Sequence, residues 1–248
     1  MKIYRPKVSV CMAAFQGEKF ICAQLQSILG QLSADDEVVI VDDCSFDGTR
    51  DVVRSLRDPR ILLVEHAENR GVTKTFEEAL SHATGDIIFL SDQDDVWADS
   101  KVRAVLDIFQ IDSEVIVVAS DAALIDQCGQ LLGGSYYETR GRFRSGLFSN
   151  LIRCKFLGCT MAFRSQLLEK VLPFPDKFKV MHDLWIGSVN ALRRGRTVYL
   201  DQNLVFYRRH SGAITAGKLN STTRLKNRLN MVSALASYWI GNLLRAQR

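Results

Sequence analysis

The sequence predicts an α/β fold on a doubly wound, mostly parallel mixed sheet, and three observations carry that prediction. Residues 87–90 form a continuous apolar run without alternation, which suits a strand buried on both faces, and residues 8–12, 38–41 and 61–64 read as three further short strands. Segments of helical period separate them, the strand–helix alternation of a parallel sheet. The runs also stop abruptly, two of them at acidic residues, and ligands in open parallel sheets gather at the carboxyl ends of strands.

In order, residues 8–12 open the sheet, and Ala13, Ala14, Phe15, Gln16 and Gly17 turn the chain into a helix over 18–32. Phe20, Leu25, Ile28, Leu29 and Leu32 share one face of that helix. The second run closes on Asp42 and Asp43; Cys44 to Gly48 is turn chemistry, and 49–56 a short helix. After the strand at 61–64, Asn69-Arg70-Gly71 break the chain and a helix over 75–83 leads to the strand at 87–90. Right-handed crossovers would place Ala14, Asp43 and Asp92 around one crevice.

Beyond it come a helix over 101–110 and strands at 115–119 and 122–125. Residues 129–146, rich in Gly and Tyr, read as a mobile loop. A strand at 156–163, a break at Pro173-Phe174-Pro175, a helix over 182–193 and strands at 197–200 and 204–207 follow. The expected organisation is one domain over 1–212, with halves meeting at 126/127, and a basic helical extension over 213–248.

The chain has 248 residues, 47% hydrophobic and 24% charged, the composition of an ordinary globular protein. Its net charge of +4 is uneven: residues 202–248 hold eight Lys or Arg and no acid, so the first 201 carry 4 − 8 = −4. Six scattered cysteines form no Cys-x-x-Cys pair, which suits reduced, cytosolic usage without a zinc site. The N-terminus runs into a strand without signal-peptide character, and no uncharged apolar run reaches the roughly 20 residues of a membrane span.

The chemistry concentrates in Ser91-Asp92-Gln93-Asp94-Asp95. Three carboxylates within four positions repel one another unless a cation lies between them. A divalent metal holding a diphosphate is one reading; a solvated acidic turn before a helix cap is the other. Neither acidic segment is an EF-hand, since position twelve counted from Asp43 is Arg54, and Trp97 stands where the loop from Asp92 needs Gly. No Gly-x-Gly-x-x-Gly follows the first strand, which weakens a dinucleotide enzyme.

Residues 8–15, Val41-Asp42-Asp43-Cys44-Ser45-Phe46-Asp47-Gly48-Thr49 and Gly85-Asp86 through Asp95 resemble the family 2 glycosyltransferases. Ser91 to Trp97, Met181-His182-Asp183 and Tyr207-Arg208-Arg209-His210 resemble a bacterial branch that builds surface polysaccharides, often rhamnosyltransferases. The likeness covers roughly 7–210 and implies the Rossmann-like A-type glycosyltransferase fold. It implies a nucleoside-diphosphate sugar as donor, UDP- or dTDP-linked with dTDP-rhamnose one example, and a saccharide or lipid-linked saccharide as acceptor.

The resemblance also assigns roles. Asp43 would accept a hydrogen bond from a pyrimidine ring N–H, with Ala13, Ala14 and Phe15 offering backbone atoms to the base. Asp92 would face the ribose or the metal shell. Asp94 would bind Mn2+ or Mg2+ directly, hard cations that favour oxygen. His210 would complete that shell or touch phosphate. Asp42 and Asp95 are either partners of the ligands or helix caps, Lys74 either a diphosphate contact or a solvated lysine, and Arg208 and Arg209 either phosphate partners or surface charge. Asp183 is the candidate general base, the alternative being a helix N-cap. Trp97 and Trp185 could stack on sugars or fill the core. A nucleotide-sugar-binding module without turnover is the rival reading; nucleic acid is not an expected partner.

In the tail, Leu225, Leu229, Val232, Ala236, Trp239 and Leu243 repeat at helical spacing, with Arg224, Lys226 and Arg228 ahead of a charge-free stretch over 229–244. Asn230, Ser233, Ser237, Gly241 and Asn242 argue against spanning. An amphipathic helix lying on anionic membrane, at the inner face of the plasma membrane, is one reading; packing on the main domain or on a second copy as a homodimer is the other.

Overall fold

The computed structural model describes residues 5–152, 156–175, 182–210 and 221–246. The first half alternates as expected: β1 (Val8–Ala14), α1 (Ile21–Leu29), β2 (Glu37–Asp42), α2 (Thr49–Ser55), β3 (Ile61–Glu65), α3 (Val72–His82) and β4 (Ile87–Asp92). The second half is mixed: β5 (Val96–Trp97), α4 (Lys101–Ile111), β6 (Val115–Ile125), β7 (Leu131–Ser135), α5 (Tyr136–Arg140), α6 (Leu147–Ile152), β8 (Met161–Arg164), α7 (Leu168–Val171), α8 (His182–Leu192), β9 (Arg196–Arg208) and α9 (Ser221–Ala246). Expectations for Met181, Cys154 and the 212/213 boundary fall outside the described residues.

One sheet runs through both halves in the order β3-β2-β1-β4-β8-β6-β9-β5, with β7 paired to β6. β1 to β4 are parallel, β8 is antiparallel to both β4 and β6, and β6 and β9 are parallel. Strand order reverses beside β1, and register pairs Ala13 with Asp92 and Ala14 with Asp42, so these ends share one level. A crevice at that reversal is the usual ligand position of such sheets.

Alternate residues of β1, β2 and β4 enter two apolar layers, which is why the runs 38–41 and 87–90 show no polar positions, while β3 at the sheet edge leaves Leu62 exposed. Val10, Met12, Ile40 and Phe89 pack with Ile21, Leu25 and Ile28 of α1 and Val102, Val105 and Phe109 of α4. Cys11, Val39, Ile88 and Leu90 pack with Phe76 and Leu80 of α3 and with Trp185, Ile186 and Val189 of α8.

Several expectations are corrected. The helix expected over 18–32 starts at Ile21, because the Gly17 carbonyl takes the N–H groups of Phe20 and Ile21 in a preceding turn. The expected gap at Ser120-Asp121 is bridged: β6 continues with a shifted register, and the Asp121 carboxylate accepts from Ala122 N–H (2.7 Å) and Ser135 Oγ (2.6 Å). β9 likewise runs unbroken from 196 to 208. Gly158–Thr160 form a 3-10 turn, so the strand expected from 156 starts at Met161. Residues 129–146 hold β7 and α5, the latter closed by a Ser135/Glu138 capping box. Trp97 and Trp185 are buried, Trp185 Nε1 donating to the Val171 carbonyl at 2.9 Å, so both serve the core.

α9 carries two apolar stripes. Met231 and Leu235 are buried in the α8 layer, with Tyr238 edge-on to Trp185 at 5.9 Å. The stripe read from the sequence is the other one: Leu229, Val232, Ala236 and Trp239 face solvent. The side chains of Arg224, Leu225, Lys226 and Leu243 lie outside the described set. Among the described residues no helix is long and apolar enough to cross a membrane. Replacing Leu235 by Ala should cost about 2–5 kcal/mol in urea unfolding, whereas Val232→Ala should stay within about 0.5 kcal/mol; equal effects would refute this docking face.

Candidate active site

The acidic turn after β4 is held from two sides. Gln93 copies a strand partner, its Nε2 donating to the Phe15 carbonyl (2.7 Å) and its Oε1 accepting the Phe15 N–H (2.9 Å). An added Cβ on Gly17 would run into that amide, so the close approach needs glycine there. On the other side Arg208, at the end of β9, donates from Nε to the Asp94 carbonyl (2.7 Å) and from Nη1 to the Asp126 and Gln127 carbonyls (3.1 Å each). Its guanidinium also lies over Phe20, 4.8 Å from the ring centre. Arg208 is thus occupied in bracing the turn, while Arg209 is exposed.

That brace brings His210 to the turn. His210 Nε2 lies 2.7 Å from Asp94 Oδ2, both side chains retaining some exposure. Asp95 is fully buried: Oδ1 accepts the Arg208 N–H at 2.9 Å, and Oδ2 has no hydrogen-bond partner. Burial, then the Asp94 charge, pushes its carboxyl up to about 7. Asp92, half-buried at the end of β4, is pushed well above the usual carboxylate range by burial and by the charges of Asp95, Asp94 and Asp183.

One residue that sequence reasoning missed sits beneath. Lys101 is fully buried; its Nζ donates to the Cys159 carbonyl at 2.6 Å and lies 3.8 Å from the Trp97 ring centre. Burial lowers its ammonium to about 7 against the pull of Asp95 and Asp92. The Cys159 thiol lies within 4.8 Å of ligand atoms of both aspartates. A faint signal existed, since Lys101 falls on the apolar face of α4 with Val105 and Phe109.

Asp183 enters from α8, across the 3-10 turn. Its Oδ1 accepts the Leu184 N–H at 2.7 Å, and burial raises its carboxyl to about 6. Neighbouring His182 stacks on Phe76 at 3.9 Å, and burial pushes it down to about 3. Gly158 admits this packing, because a Cβ there would stand 2.9 Å from His182 Nε2.

The nucleotide-side candidates line the ends of β1 and β2. Ala13 and Ala14 close β1, the Ala14 carbonyl accepting the Asp43 N–H at 2.8 Å, and Phe15 is exposed. Asp42 is buried and paired with Arg50 Nε (2.6 Å) and Ser45 N–H (2.8 Å), a structural role. Asp43 accepts backbone N–H groups of Arg70 (2.7 Å) and Gly71 (2.8 Å). Lys74 stands in the first turn of α3, its Nζ 3.1 Å from Glu77 Oε1.

The geometry fits a hard divalent cation. Asp94 and His210 come from separate elements and meet at 2.7 Å, offering an oxygen and a nitrogen donor, and Asp95 in the same turn keeps a buried oxygen, Oδ2, without a hydrogen-bond partner among the described residues.

Comparison with known proteins agrees. The model of glycosyl transferase family 2 matches residues 9–172. An uncharacterized glycosyltransferase of Nostoc sp. is 30% identical over 82% of this chain and 65% of its own, so the chain spans just under two thirds of that relative. The UDP-Glc:alpha-D-GlcNAc-diphosphoundecaprenol beta-1,3-glucosyltransferase WfaP of Escherichia coli is 23% identical over 94% of this chain and 89% of its own. Among solved structures, S. aureus TarS 1-349 in complex with UDP-GlcNAc superposes with a TM-score of 0.70 at 22% identity, over 86% of this chain and 62% of that one. Sheet order, the acidic turn at the strand reversal and the family match converge: this chain belongs to glycosyl transferase family 2.

Proposed function

We propose that the chain is an inverting, divalent-metal-dependent glycosyltransferase that moves a sugar from a UDP- or dTDP-linked donor to a saccharide or lipid-linked saccharide of the cell envelope. The observation that carries this reading is the meeting of Asp94 with His210 at the acidic turn, with the Asp183 charge felt by neighbouring Asp92. The names of the relatives support the substrate classes: TarS was solved with UDP-GlcNAc, and WfaP is named for a diphosphoundecaprenol-linked acceptor.

Asp94 and His210 would hold Mn2+ or Mg2+, with Asp92 and Asp95 beside them. When bound, the cation offsets charge on the diphosphate leaving group. Asp183 takes the proton of the acceptor hydroxyl as that oxygen bonds to the anomeric carbon, and the sugar–phosphate bond breaks with its electron pair leaving on the diphosphate. Attack from the face opposite the leaving group inverts the centre. A carboxylate whose basicity is raised by burial suits that proton transfer at neutral pH.

Asp183 must be ionised to act, so kcat should fall as pH drops through about 6. Asp183→Asn should lower kcat by about 10²–10⁴ and leave donor affinity in place. Steady-state kinetics with donor titration calorimetry checks this, and an equal loss of donor binding would refute the base assignment.

The exposed stripe of α9, within the acid-free basic segment after Asp201, is read as lying on anionic membrane at the cytoplasmic face, where a lipid-linked acceptor would stand. The protein should then co-sediment with vesicles containing phosphatidylglycerol, not pure phosphatidylcholine, and Trp239→Ser should weaken it. Concentration-dependent dimers without vesicle binding would assign the stripe to a second copy.

A further inference from the structure

A second charged cluster stands apart from the acidic turn, between the end of β2 and α3. His66 is buried there, with Nδ1 2.8 Å from Asp43 Oδ1 and Nε2 2.8 Å from Glu78 Oε2. Asp43 Oδ1 also accepts the Arg70 N–H at 2.7 Å, and Oδ2 accepts the Gly71 N–H at 2.8 Å. The His66 N–H donates to the Asp42 carbonyl at 2.9 Å, and Asn69 Nδ2 to the Asp43 carbonyl at 3.2 Å. Gly71 turns the loop at φ 84, a conformation that favours glycine. Glu78, on α3, is the partly exposed end of this line and also lies 3.4 Å from Arg70 Nη1.

We infer that His66 is a positioning residue that fixes the orientation of the Asp43 carboxylate and so selects donor nucleotides whose base presents a ring N–H. This rests on the reading of the crevice as a nucleotide-sugar site with Asp43 at the base. His66 Nδ1 and the Arg70 N–H both lie on Oδ1, whereas Oδ2 has Gly71 alone and keeps one acceptor position. Uracil and thymine present N3–H to such an oxygen, and guanine N1–H. Cytosine presents a lone pair at N3, which sets acceptor against acceptor in a buried place.

His66 supplies what the two backbone donors lack, a brace from the side. Glu78 lies on the far nitrogen, so the ring meets Asp43 from one direction and the carboxylate keeps its orientation. Asn in place of His66 retains a donor near the Nδ1 position; Phe retains only the ring volume.

Calorimetric titration of the full-length chain with UDP and CDP, in Mg2+, tests the assignment, with melting by circular dichroism as the folding control. The wild type should bind UDP about 10²-fold more tightly than CDP. His66→Phe should shrink that ratio about tenfold, the loss of one hydrogen bond to a charged group. His66→Asn should restore most of it, and Glu78→Gln should shrink it less than Phe does. A folded His66→Phe protein, or a Glu78→Gln protein if the former does not fold, with the wild-type ratio overturns the assignment. A wild type that binds neither nucleotide overturns the donor reading itself, and the role of His66 with it.

Discussion

Carboxylates brought together in one crevice are the constraint on which the site depends. Asp92, Asp94 and Asp95 leave β4 together, and Asp183 joins them from α8 within reach of their charge. Left to themselves they would repel and draw water, so the surrounding fold acts to offset them. A buried ammonium, Lys101, lies beneath; the Arg208 guanidinium grips the turn through its carbonyls; backbone N–H groups of Arg208 and Leu184 serve Asp95 and Asp183. The compensation is partial. Asp92, Asp95 and Asp183 all remain harder to ionise than in water, and one Asp95 oxygen has no partner. The proposed cation would supply the positive charge that the site lacks.

The two halves of the chain meet on this turn. The parallel half supplies the acidic residues at the reversal of strand order and fastens them to β1 through Gln93. The mixed half supplies the residues that face them: β9 delivers Arg208 and His210, and the 3-10 turn accepts Lys101 and lets α8 present Asp183. Neither half alone holds both the candidate cation ligands and the candidate base, which is why one continuous sheet, and not two separable lobes, underlies the chemistry.

In the parallel half, β2 and β4 were legible because strands buried on both faces read as plain apolar runs. Asp94, Asp183 and His210 stood out through ordered motifs, and Asp94 and His210 meet at the acidic turn. What stayed hidden was set by contacts distant in sequence. Nothing local says that Lys101 will reach Cys159, that Gln93 will mimic a strand beside Phe15, or that His66 will bridge Asp43 and Glu78. Polar pairs misled in the opposite sense: Ser120-Asp121 looked like a strand end, yet Ser135 and Tyr137 satisfy Asp121 within the sheet. On α9 two apolar stripes competed, and spacing alone could not say that Met231 and Leu235 would be the buried pair.

Crystals soaked with manganese and UDP, measured at the manganese absorption edge, test the central claim most directly. The expected result is an anomalous peak at bonding distance from both Asp94 and His210, with the UDP diphosphate against it. Well-ordered UDP in the crevice, with Asp94 and His210 still paired to each other and no peak between them, would contradict it.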